Sequence, residues 1–125
     1  MDPEVKELLE YLTEVIEDYQ RYVENIGSNG LAATLLLNYR DEIQEILDEL
    51  KFEKDLDLQE YWRKIRDLDE IVRQKQQLLV NEIGYESFKQ YQIIQDPPLT
   101  HWWWYLNRLV GKPLPPNKIW EFWKK

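Results

Sequence analysis

His101 is the one histidine of this 125-residue chain, and it stands directly before Trp102, Trp103 and Trp104. An imidazole before a tryptophan run could ligate a haem or chlorin, but that use needs a second ligand or a known motif. The sequence around it signals neither, so a solvent-facing histidine at a helix start is the plainer expectation. A carboxylate-bridged di-iron bundle needs two Glu-x-x-His pairs, which a single histidine cannot supply. With no cysteine in the chain, thiolate nucleophiles, disulfides and thiolate metal sites fall away together. Ser28 and Ser87 are the only serines, each in a turn or helix context without a base signalled nearby. "GSNG" at 27–30 is too short for a phosphate loop, and "DLDLQE" at 55–60 lacks the glycine and closing glutamate of a calcium loop. Acidic residues are abundant, but at helical spacing on a polar face they are solvated rather than poised for acid–base work. No catalytic, cofactor-binding or metal-binding residue is expected, and the chain reads as non-enzymatic.

The aromatic run raises a different possibility. Successive residues diverge by about 100° on an α-helix and about 180° on a strand, so three consecutive indoles cannot share one face. On α-helical spacing Trp102 joins Tyr105, Leu106 and Leu109 in an inward cluster, and Trp103 lies at its edge. Trp104 then falls near the back, four residues before Arg108, where a guanidinium can stack on it. Trp103, Trp104 and Arg108 are therefore candidates for contact with a partner, because exposed tryptophan and arginine concentrate at binding hot spots. Trp120 and Trp123, three apart, form a second candidate patch. The competing expectation is that such rings pack on their own body, foremost Trp102 and Trp103.

These residues must be carried by helices. Asp2 can cap and Pro3 fits a first helical position, and Val5, Leu8, Leu12, Val15, Tyr19, Tyr22 and Ile26 recur at steps of three and four. A second stripe runs through Ala32, Leu36, Tyr39, Ile43, Ile46 and Leu50. A short connection makes the two antiparallel neighbours. Asp57 and Glu60 suggest a capping box for a third helix, whose Ile71 and Leu78 lie round the cylinder from its main stripe and imply two contact surfaces. Asp69 and Gln76 fall in or beside that stripe; an edge position reaching solvent is the commoner arrangement for such residues. The expected fold is all-α: an elongated antiparallel bundle of three main helices, about 3–26, 31–51 and 58–83, with a further helix over 85–95. Residues 1–96 form this acidic body. Residues 97–125 form a basic, Trp- and Pro-rich tail with a short helix capped by Thr100 and running to Val110.

Formal net charge is −8. From Leu99 onward Arg108, Lys112, Lys118, Lys124 and Lys125 stand against Glu121, so the tail carries +4 and residues 1–98 carry −12. An acidic body repels nucleic-acid phosphates, so no direct nucleic-acid binding is expected. No apolar run approaches the roughly 20 residues that cross a bilayer, and the acidic start lacks the basic flank of a secretory signal. A cytoplasmic location is expected. Together these features point to a protein–protein interaction or adaptor module, self-associating through its coiled-coil-like stripes as a homodimer and using the Trp-rich tail for a partner. The alternative is peripheral attachment to a membrane surface through the basic aromatic tail. Imitation of nucleic acid by the acidic helices and binding of an aromatic small ligand rank below both.

Overall fold

A computed structural model of the chain describes residues 2–110, the side chain of Leu109 excepted; the expected sites at Trp120 and Trp123 lie outside the described residues. Among the described residues the fold is all-helical, with no strand. Helix α1 spans Pro3–Glu24, α2 Leu35–Leu50, α3 Gln59–Gln74, α4 Gln76–Ile83, α5 Tyr85–Gln95 and α6 Asn107–Val110, with 3₁₀ turns at Gly30–Ala32 and Trp102–Tyr105.

Local chemistry sets the helix starts. Asp2 accepts the Glu4 N–H at 2.9 Å, with proline in the first turn, and Asp57 accepts the Gln59 N–H at 3.0 Å. The predicted reciprocal partner Glu60 turns instead toward Arg63, at 3.6 Å. The stripes of α1 and α2 pack on each other within the chain, and Tyr22 and Tyr39 meet at 5.4 Å while Tyr11 donates to Glu42 at 3.1 Å. Rising numbers on α1 thus meet falling numbers on α2 in these two pairs.

The predicted third helix, 58–83, is two helices. It bends at Lys75, whose φ of −104° and ψ of 18° leave the helical region, although Lys75 N–H still bonds Ile71 O and Leu79 N–H bonds Lys75 O. Leu78, expected on a second contact surface, is exposed, but the two halves meet different neighbours: α3 packs on α1, whereas α4 packs on α5, α6 and the 30–32 turn. There the Glu82 carboxylate accepts the backbone N–H groups of Gly27, Asn29 and Gly30 at 3.0, 2.8 and 3.2 Å. Gly27, at φ +96°, lies so close under Leu78 that a Cβ would come within 2.9 Å of it. One continuous apolar core joins Leu12, Tyr19, Leu36, Ile43, Ile65, Val72, Leu79 and Phe88 to Trp103, Trp104 and Leu106.

Candidate functional site

A turn of four residues, 98–101, positions the tryptophans. His101 N–H bonds Pro98 O at 2.9 Å and Trp104 N–H bonds His101 O at 3.1 Å, and the 3₁₀ turn follows directly. In this geometry successive side chains stand about 120° apart and residues three apart eclipse, so the segment has three rows. Trp103 and Leu106 form one buried row, and Trp104 and Asn107 form another. The outward row is Leu99, Trp102, Tyr105 and Arg108.

The two inward rows are fixed by one carboxylate. Asp41 Oδ1 accepts the Trp103 indole N–H at 2.7 Å, and both its oxygens accept that of Trp104, at 2.8 and 2.9 Å. His101 Nδ1 also reaches Asp41 Oδ1, at 3.2 Å, while its ring stacks on Trp103 at 4.6 Å. An ionised carboxylate offers acceptors only, which suits donors converging from three rings. Gln92 completes the anchorage, donating to Trp104 O at 2.9 Å and Asn107 Oδ1 at 2.8 Å, and the Tyr105 hydroxyl donates to Pro97 O.

Beneath Trp103 lies a second polar cluster. The Arg40 guanidinium sits 4.3 Å from the Trp103 ring and gives Asp69 two bonds, Nε to Oδ1 at 2.9 Å and Nη2 to Oδ2 at 3.1 Å. Tyr19 donates to the same carboxylate at 2.7 Å. Both charged side chains are almost wholly enclosed, 4% and 6% exposed. Burial pushes the Tyr19 hydroxyl well above its ordinary pKa, and the charge of Asp69 adds to the effect. Among the described residues no buried side-chain nitrogen or oxygen lacks a partner. This cluster corrects the edge position expected of Asp69.

On the outward row the arrangement is different. Arg73, from α3, lies 4.2 Å over Trp102, and Arg108 lies 4.6 Å over Tyr105. Leu99, Trp102, Tyr105 and Arg108 line a shallow cleft of about 240 Å³. Among the described residues neither Arg73 nor Arg108 has a carboxylate within ion-pair distance.

The sequence-predicted residues fall unevenly on this site. Trp103 and Trp104 are 1% and 0% exposed, so neither offers the outward surface expected of it. The expectation assumed α-helical spacing; the tighter turn swings Trp104 inward, and Asp41 supplies the acceptor that an enclosed indole requires. Arg108 is exposed as expected but stacks on Tyr105, three residues back, rather than on Trp104. The expected α-helix from Thr100 is replaced by the 3₁₀ turn and the short α6. Arg40 escaped the sequence reading although a signal existed: it occupies the same row as Leu36, Ile43, Leu47 and Leu50, where a charge is out of place. Asp41 carried no such signal.

No family model, curated protein or solved structure matches this chain. Among the described residues no group of three or more histidine, cysteine or acidic side chains is placed to hold a metal ion, and no helix is long and apolar enough to cross a membrane.

Proposed function

We propose that this chain is a non-enzymatic protein-interaction module whose contact surface is the outward row of the aromatic segment. One observation carries the reading: the fold buries two rows of that segment, while the third, Leu99, Trp102, Tyr105 and Arg108, lines a shallow cleft with its two rings half-buried and Leu99 and Arg108 exposed. Tryptophan, tyrosine and arginine are the side chains most often responsible for binding energy at protein surfaces. Ile93 and Ile94, 81% and 77% exposed at the end of α5, add apolar area on the element that anchors the segment. We read the body that presents it as an elongated antiparallel bundle of α1, α2 and α3, stiffened by the enclosed Arg40–Asp69 pair. Asp41 and His101, which could do acid–base chemistry, are bonded to each other, Asp41 to both indoles as well, and the imidazole stacks on Trp103, which favours a cementing role.

Site-specific photo-crosslinking tests the reading. A photoreactive phenylalanine analogue at Trp102 should give a discrete adduct with another protein, which Leu99→Asp abolishes. The same group at exposed Phe52 should not give that adduct. Equal labelling at both positions, or none at Trp102, would refute the assignment of the surface. An adduct between two copies of the chain would make the contact self-association.

A further inference from the structure

The outward row also indicates what it binds. A guanidinium laid flat on an aromatic ring is held by one face, while its N–H donors point outward in its own plane, the geometry that grips a carboxylate. Here two guanidinium groups lie over neighbouring rings, Arg73 4.2 Å from that of Trp102 and Arg108 4.6 Å from that of Tyr105, and both rings and Arg108 line one apolar cleft. Neither has a described carboxylate within ion-pair distance, although residues 1–98 carry a net −12. The chain is acidic overall, yet beside these two half-buried rings it leaves two arginines without a described ion-pair partner.

Resting on the interaction reading above, we propose that the cleft binds a short acidic peptide segment of a partner protein: an aliphatic or aromatic side chain entering between Leu99, Trp102 and Tyr105, with flanking aspartate or glutamate carboxylates on Arg73 and Arg108. The apolar lining rewards a buried side chain, and the paired guanidinium groups reward negative charge beside it. A cleft of about 240 Å³ is on the scale of one or two side chains. An anionic bilayer or a nucleic acid would face the repulsion of the whole acidic body, whereas a short peptide meets mainly the two local charges, since screening limits the rest to about 8–10 Å.

Indole N–H resonances provide the test, because Trp103 and Trp104, both bonded to Asp41, serve as internal references. The probes are three blocked pentapeptides with a central leucine flanked on each side by two glutamates, two glutamines or two lysines. The glutamate peptide should move the Trp102 resonance and leave those of Trp103 and Trp104 in place. It should bind about tenfold more tightly than the glutamine peptide, and more weakly as salt is raised. Arg73→Gln and Arg108→Gln should each reduce that affinity several-fold, with unmoved Trp103 and Trp104 resonances showing that the fold is kept. If the glutamine or lysine peptide binds as tightly as the glutamate peptide, the acidic class is wrong while the interaction surface stands. A Trp102 shift with phosphatidylglycerol vesicles and with no peptide would make the occupant a lipid surface. A shift that grows with protein concentration alone would make it a second copy. If no probe moves Trp102, the peptide proposal is overturned, and the crosslinking at Trp102 separately decides whether a protein binds there at all.

Discussion

Replacing Asp41 by alanine should loosen the whole aromatic segment without removing any of its rings. The carboxylate is the acceptor for two indole N–H groups, at 2.7 Å from Trp103 and 2.8 and 2.9 Å from Trp104, on rings that are 1% and 0% exposed. Each buried donor left unpaired costs about 1–3 kcal/mol, so the pair sets a ceiling of about 6 kcal/mol. Asp41 itself is 26% exposed, and water entering the vacated space would satisfy part of the loss. A destabilisation of about 2–4 kcal/mol follows, of which about 3 is the working value. With a urea slope of about 1.5 kcal/mol per M, the unfolding midpoint should fall by about 2 M. Asp41→Asn keeps one carbonyl oxygen that both indoles can reach and should lose about 1 kcal/mol. In Asp41→Ala the Trp103 and Trp104 indole protons should also exchange faster with solvent. A midpoint within about 0.3 M of the wild type, at this slope only about half a kcal/mol, would show that the carboxylate does not hold these rings.

Three further outcomes follow from the enclosed cluster and the turn. Tyr19 has a raised pKa in the fold, so its stabilising effect is complete below its ordinary value of 10.0 and is lost as pH climbs from there through the folded value. Stability measured by urea above pH 10 should therefore fall by up to about 1.4 kcal/mol per pH unit more in the wild type than in Tyr19→Phe; parallel curves would contradict the linkage. Asp69→Ala should cost about 3–5 kcal/mol by stranding the Arg40 charge, whereas the triple variant Tyr19→Phe, Arg40→Met, Asp69→Leu should unfold near the wild-type midpoint; equal losses in both would show that the cluster adds net stability beyond its desolvation. Gly27→Ala should cost about 1–2 kcal/mol through its left-handed backbone. Leu78→Ala in that background should recover little, since the crowding atom is a side-chain end that can rotate away; full recovery would make crowding, not φ, the cause.

What was legible in the sequence follows the range of the physics involved. The stripes of α1 and α2 are periodic over many turns, and Asp2, Pro3 and Asp57 act on neighbours one to three residues away, so these elements were readable. The bend at Lys75 was not, because the apolar row runs through it without a change of phase; the break depends on which neighbour each half meets. Asp69 looked like an edge residue because its partners, Tyr19 and Arg40, are 50 and 29 positions away. The same distance hid Asp41, 62 and 63 positions from the indoles it holds. For the tryptophans the directional argument was sound, since the rings do diverge, but it applied the wrong period. With about 100° per residue Trp104 faces outward; with about 120° two rows of three face inward and Trp102 takes the outer place.

The two inward rows bear on the proposed contact through Arg40 and Asp41, adjacent residues of α2 that serve different carboxylate systems. Arg40 joins Asp69 and Tyr19 below, Asp41 gathers three rings above, and Trp103 lies between them, with the guanidinium 4.3 Å from its ring and the imidazole of His101 stacked on it. The aromatic segment is thus bonded to α2 through Asp41 and to α5 through Gln92, while Arg73 of α3 covers its outer ring. Trp102 and Tyr105 belong to the same short turn as the anchored residues, so their rings are held before anything binds. Ordering a free side chain at an interface costs about 0.5–1.5 kcal/mol, and a row already fixed by its neighbours avoids much of that loss. On the interaction reading, the enclosed tryptophans contribute to binding without touching the ligand, and loosening them through Asp41→Ala should weaken peptide capture at Trp102 even though Asp41 faces away from the cleft.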